Sequence, residues 1–93
     1  MRTLLMAVLV IGLAAGCSTS LLQQGYRAAE EGKYDQAIDL YYKEIAVNQQ
    51  SAEAWRGLGA AFSRQGNFIK AEDALKQANA IRTAATAQLY VGL

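Results

Sequence analysis

Trp55-Arg56-Gly57-Leu58-Gly59-Ala60-Ala61-Phe62, followed by Gly66-Asn67-Phe68-Ile69-Lys70-Ala71 and then Leu75 and Ala78, is the stretch that decides the fold. Trp55, Leu58 and Phe62 recur at i, i+3 and i+7, as do Ala71, Ala74, Leu75 and Ala78 at helical spacings, so each run presents one apolar helical face. Gly66 stands between the two runs, where a helix ends most cheaply on a left-handed residue without a Cβ. Ser51 is placed to cap the first run, and Glu53 in its first turn suits the helix dipole. Moving 34 positions toward the N-terminus meets the same pattern again. Trp55 maps to Leu21, Gly59 to Gly25, Phe62 to Ala28, Gly66 to Gly32, Phe68 to Tyr34, Ala71 to Ala37 and Leu75 to Tyr41, with no gap. A fixed period of this size marks a repeat architecture. Four helices are predicted, over residues 20–31, 34–47, 52–65 and 68–81, and no segment reads as a strand.

The period and the pattern Trp55-x-x-Leu58-Gly59-x-x-Phe62…Gly66-x-Phe68-x-x-Ala71-x-x-x-Leu75-x-x-Ala78 resemble the tetratricopeptide repeat (TPR). The resemblance covers residues 21–81 and implies an all-α fold of helix-turn-helix units: one over 21–50, a second over 51–82, and over 83–93 a capping helix or the start of a third repeat, with a helix from about Ala84. Gly25, Gly59, Ala37 and Ala71 are the small residues that let paired helices approach, and Trp55, Phe62, Phe68, Tyr34 and Tyr41 fill the space around them. The sequence departs from the family where Gln49 and Thr83 replace a proline after the second helix, where Glu44 replaces alanine, and where Gln24 replaces leucine beside Gly25.

The N-terminal residues read as an address. Met1-Arg2-Thr3 is a short basic stretch, and residues 4–16 are uncharged. As a helix they would span about 20 Å, short of the roughly 30 Å hydrocarbon core, which fits a secretory signal. Leu13-Ala14-Ala15-Gly16-Cys17 resembles the bacterial lipobox, in which the cysteine takes the lipid and becomes the first residue after cleavage. That resemblance implies a signal peptide over 1–16, lipidation at Cys17 and a tether over 17–20. Ser18, where an acidic residue would favour the inner membrane, points to the outer membrane facing the periplasm.

Composition narrows function by subtraction. The chain has one Cys and no His, which excludes a Ser-His-Asp triad, a Cys-His dyad, a His-ligated metal and an intrachain disulfide. Arg2 is the one charged side chain before Cys17, so the remainder holds eight basic and eight acidic groups and carries no basic footprint for nucleic acid. Glu30-Glu31 and Asp35/Asp39 are paired carboxylates that read as solvated faces, and Gly57-Leu58-Gly59 lies inside a helical pattern, unlike a phosphate loop. No catalytic residue, cofactor or metal is expected. By the TPR resemblance, function lies in the concave groove of the first helices, where Leu22, Tyr26 and Ala29 would face Arg56, Ala60, Ser63 and Arg64. Tyr26 would be an aromatic anchor, and Arg56 and Arg64 donors for a carboxylate or peptide carbonyl. The plainer alternative leaves both arginines solvated or paired with Glu53 and Glu30. The carboxylate-clamp subclass is not matched, since Arg56, Gly57 and Ala60 hold its places without an Asn. Tyr42 should be half exposed, available to packing between units or to a partner.

These readings together describe a membrane-anchored scaffold or adaptor that binds a protein partner during assembly of an envelope complex, similar to small lipoproteins of pilus and secretion systems. An alternative makes the chain the N-terminal portion of a longer TPR lipoprotein whose binding surface lies in further repeats. Two units are few for a repeat stack. The shortfall leaves open self-association through Leu89, Tyr90 and Val91, a partner on that face, further repeats, or support from the membrane-proximal setting.

Overall fold

The computed structural model describes residues 19–91, with side-chain surroundings for 19–87. Among the described residues four helices follow one another: α1 Leu21–Glu30, α2 Tyr34–Val47, α3 Ala52–Arg64 and α4 Phe68–Val91. α1 packs on α2, α2 on α3 and α3 on α4, and α1 also reaches α3. This is the stacking of two helix-turn-helix units, with the concave side between the first helices, α1 and α3. Residues 1–18, and with them the expected signal peptide and Cys17, lie outside the described residues. Among those described, no helix is long and apolar enough to cross a membrane.

Local chemistry sets the helix ends. Ser20 Oγ accepts from the Gln23 amide at 3.1 Å and Ser51 Oγ from the Ala54 amide at 3.3 Å, capping α1 and α3. Both first helices finish in the same way. Gly32 and Gly66 adopt φ of 77° and 82°, which brings the Lys33 amide onto Ala28 O and the Asn67 amide onto Phe62 O, each at 2.8 Å. Asn67 then caps α4 through Oδ1, which accepts from the Lys70 amide. A Cβ at Gly66 would meet no atom within 4 Å, so the demand there is on the backbone alone. Gly66→Ala should therefore cost about 1 kcal/mol, the left-handed penalty of an L-residue, as measured by urea denaturation.

The core is built on the repeat. Ala28, Ala37, Tyr41, Ala54, Leu58, Ala61, Phe62, Ala71 and Ala74 form one buried cluster, with Tyr34 and Trp55 packed against it. Tyr41 and Leu58 are its largest fully buried side chains. The glycines expected to admit close approach do so: a Cβ at Gly25 would lie 2.6 Å from Tyr41 Cε1, and one at Gly59 would lie 2.7 Å from Leu75 Cδ2. These contacts are one period apart. Tyr42 is 47% exposed, the half-exposed position expected.

Two expectations need correction. Phe68, read as filling space between helices, is 67% exposed, because no helix follows α4 among the described residues to cover it as α3 covers its counterpart Tyr34. The break anticipated near residue 82 is also absent, and α4 runs on as one helix to Val91. In the first unit Asn48 turns the chain: its φ is −145°, its carbonyl accepts from the Ser51 amide at 3.1 Å, and its Oδ1 accepts from the Gln50 amide at 3.3 Å. Arg82-Thr83-Ala84-Ala85 offers no comparable turn residue, and α4 holds neither Gly nor Pro. Thr86 even returns its hydroxyl proton to the Arg82 carbonyl at 2.9 Å, satisfied inside the helix.

Candidate functional site

The groove between α1 and α3 holds two adjoining hollows, of about 340 and 410 Å³. Tyr26, Ala29 and Glu30 form the α1 wall, and Glu53, Arg56, Gly57, Ala60 and Arg64 the α3 wall, while Tyr41 of α2 supplies the floor. The α3 residues fall at i, i+3, i+4, i+7 and i+11, one continuous helical face. Of the residues expected here, Tyr26, Ala29, Arg56, Ala60 and Arg64 line the groove. Leu22 does not: it packs against the core cluster, as an apolar side chain beside a small core should. Ser63 does not either: it is exposed, and its short side chain stays outside both hollows.

Six lining residues were not anticipated in that role: Glu30, Tyr34, Tyr41, Glu53, Gly57 and Ala61. Glu53 and Gly57 share the helical face of Arg56 and Ala60, so their spacing carried the signal. Glu30 and Tyr41 had been assigned to solvent and to the core. Tyr41 is in the core, with 2% exposure, but the edge of its ring forms the groove floor. Its position is fixed from two sides. A Cβ at Gly57 would lie 2.6 Å from Tyr41 Cζ, so the ring sits between Gly25 of α1 and Gly57 of α3 and sets how closely the two walls approach.

The electrostatics are mixed. Neither Arg56 nor Arg64 lies within ion-pair distance of a carboxylate among the described residues, so both guanidinium forks are open to a ligand. The remaining paired carboxylates do behave as solvated faces: Glu31 meets Lys33 at 3.6 Å, and Asp39 meets Lys43 at 3.2 Å, all of them exposed. Asp35 instead accepts from Gln65 Nε2 at 2.6 Å, tying the start of α2 to the end of α3. The Tyr26 and Tyr41 rings are tilted at 58° with centroids 5.9 Å apart. Burial raises the Tyr26 phenol above its usual 10.0, and Glu53 raises it further while Arg56 opposes this. Tyr41 is raised by burial first and then by Tyr26. Both groups hold their protons more tightly folded than unfolded, so the folded state keeps its full advantage below pH 10 and loses it as pH rises further. Thermal melts should accordingly shift downward above pH 10, and a Tyr41→Phe variant should show a smaller shift.

Small residues along Ala29, Gly57 and Ala60 let a backbone approach closely, the arginines can donate to carbonyls or carboxylates, and Glu30 and Glu53 can accept from N–H groups. The arrangement suits holding a polypeptide. The TPR repeat family matches residues 25–66, which take in the end of α1, all of α2 and all of α3. The chain is thus a TPR-containing protein with an all-α repeat fold, a class whose usual work is protein–protein interaction. No curated protein matches it.

Proposed function

We propose that this chain is a membrane-anchored TPR scaffold or adaptor that recruits a protein partner in the assembly of an envelope complex of the pilus or secretion type. The observation that carries the binding role is the α1/α3 groove, with Arg56 and Arg64 unpaired, the small residues Ala29, Gly57 and Ala60 along its walls and the Tyr41 ring as its floor. An extended segment of the partner lies along that floor, its carbonyls or acidic side chains met by the two arginines and its amides by Glu30 and Glu53. The lipobox-like run ending at Cys17 supports the anchor, and Ser18 supports the outer membrane facing the periplasm. Anchoring confines the groove to a thin layer beside its target and raises effective concentration without any new contact.

Two variants test the parts separately. Cys17→Ser should move the protein from the membrane fraction to the soluble fraction and abolish metabolic labelling with a lipid analogue; unchanged labelling would remove the anchor from this reading. Arg56→Glu/Arg64→Glu should eliminate the partner that co-purifies with the native chain while helical circular dichroism is preserved. Retention of the same partner by the folded double variant would show that the groove is not the contact. A second reading places recognition in repeats beyond residue 93, and the exposure of Phe68 and Leu75 favours it. The cross-linking described next separates it from pairing between copies.

A further inference from the structure

The two ends of the stack differ. On the outside of α1, Gln23, Gln24, Arg27 and Glu31 are all exposed, a polar face of the kind that closes a repeat array. At the other end, Phe68 is 67% exposed and Leu75 41%, whereas one period earlier Tyr34 is partly buried against the core and Tyr41 lies in it. α4 is also much longer than its partner helix, 24 residues against 13. Residues 82–91 extend about 15 Å past the pairing expected for a repeat of this period, and Arg82 through Ala87 are exposed.

Phe68, Glu72, Leu75, Asn79, Arg82 and Thr86 fall at steps of 4, 3, 4, 3 and 4, the stripe of a helix that meets another helix. The stripe is also self-complementary when reversed about residue 77. Phe68 then faces Thr86, Glu72 faces Arg82, and Leu75 faces Asn79. At Phe68/Thr86 large meets small and at Glu72/Arg82 acid meets base, while Leu75 meets the side chain of Asn79. Glu72 is engaged only by Lys76 on its own helix, through an exposed pair at 3.1 Å, and Arg82 has no carboxylate within ion-pair distance among the described residues. Head-to-tail stacking offers no such match, because it would set the apolar end of α4 against the polar outside of α1.

We infer that two copies of the chain pair through α4, antiparallel and two-fold symmetric, with the overhang of each laid over the Phe68–Leu75 face of the other. This surface is distinct from the groove, so pairing presents two grooves from one membrane-bound assembly.

The test is a photoreactive side chain at Phe68 in the full chain, expressed in its native envelope, with a control at Gln23. The expected result is an adduct of twice the chain's mass from position 68 only, with the cross-linked peptide covering residue 86 of the second copy. Glu72→Arg and Arg82→Glu, each alone, should reduce that adduct about 10-fold by setting like charges opposite each other. The combined exchange should restore it. No double-mass adduct, an adduct mapped to residues 21–31, an adduct with a different protein in its place, or failure of the exchange to restore pairing would each overturn the inference. Circular dichroism of the variants separates lost pairing from lost folding.

Discussion

Tyr41→Ala should unfold most of the domain. Tyr41 is 2% exposed and joins all three of the helices that make the groove, lying against Gly25 of α1 and Gly57 of α3 from its place on α2. Removing a buried aromatic ring costs about 3–5 kcal/mol, from the lost burial and from the cavity left behind. A domain of this size has only about 5–10 kcal/mol in total, and often less. The cavity could not collapse easily, since both neighbours are glycines with no side chain to fill it. The urea midpoint should fall by at least half. Tyr42→Ala, one residue along and 47% exposed, should change stability by less than about 1 kcal/mol. If the two substitutions had similar effects, Tyr41 would not be the joint between the units.

Gly57→Ala should also destabilise, against the ordinary preference of helices. In the interior of α3 alanine is favoured over glycine by about 0.8–1.0 kcal/mol. The new Cβ, however, would stand 2.6 Å from Tyr41 Cζ and 2.7 Å from Cε1, and the ring has little room to withdraw because it also packs so closely on Gly25 that a Cβ there would lie 2.6 Å from Cε1. Overpacking of this kind costs about 1–3 kcal/mol, so it outweighs the propensity gain in all but the mildest case. Tyr41→Leu makes room, reproducing the Leu75–Gly59 pair of the second unit. A double-mutant cycle between Gly57→Ala and Tyr41→Leu should show favourable coupling of about 1 kcal/mol or more. Simple additivity would mean that the close approach of α2 and α3 does not depend on this contact.

The sequence carried the fold because its signals repeat. Gly32 and Gly66, one period apart, both take the left-handed turn expected of them, and Ser51 caps where its position before Ala52 said it would. The helical spacing of Trp55, Leu58 and Phe62 named the core face of α3. What was not legible depends on contacts across the period. Gly57 has no glycine counterpart in the first unit, where Gln23 stands, so nothing in the repeat marked it as the seat of Tyr41. Leu22 and Ser63 were placed in the groove by analogy of position, but one is drawn inward by its apolar surface and the other is too short to reach. The end of α4 was misjudged because the missing proline at Thr83 was weighed like the one at Gln49. The difference lies in Asn48 and Ser51, which build a turn in the first unit and have no equivalents after Arg82.

The central claim is that the α1/α3 groove is where this TPR-containing chain holds its partner. Ala60 is exposed and lies in the hollow shared by both walls, so a photoreactive side chain there samples the groove directly. Lys43, exposed on α2 and engaged with Asp39, samples a surface away from it. In cells that make the native chain, irradiation should capture one protein from position 60 and not from position 43, and the Arg56→Glu/Arg64→Glu background should abolish that capture. Equal capture from both positions, or none from position 60, would contradict the account.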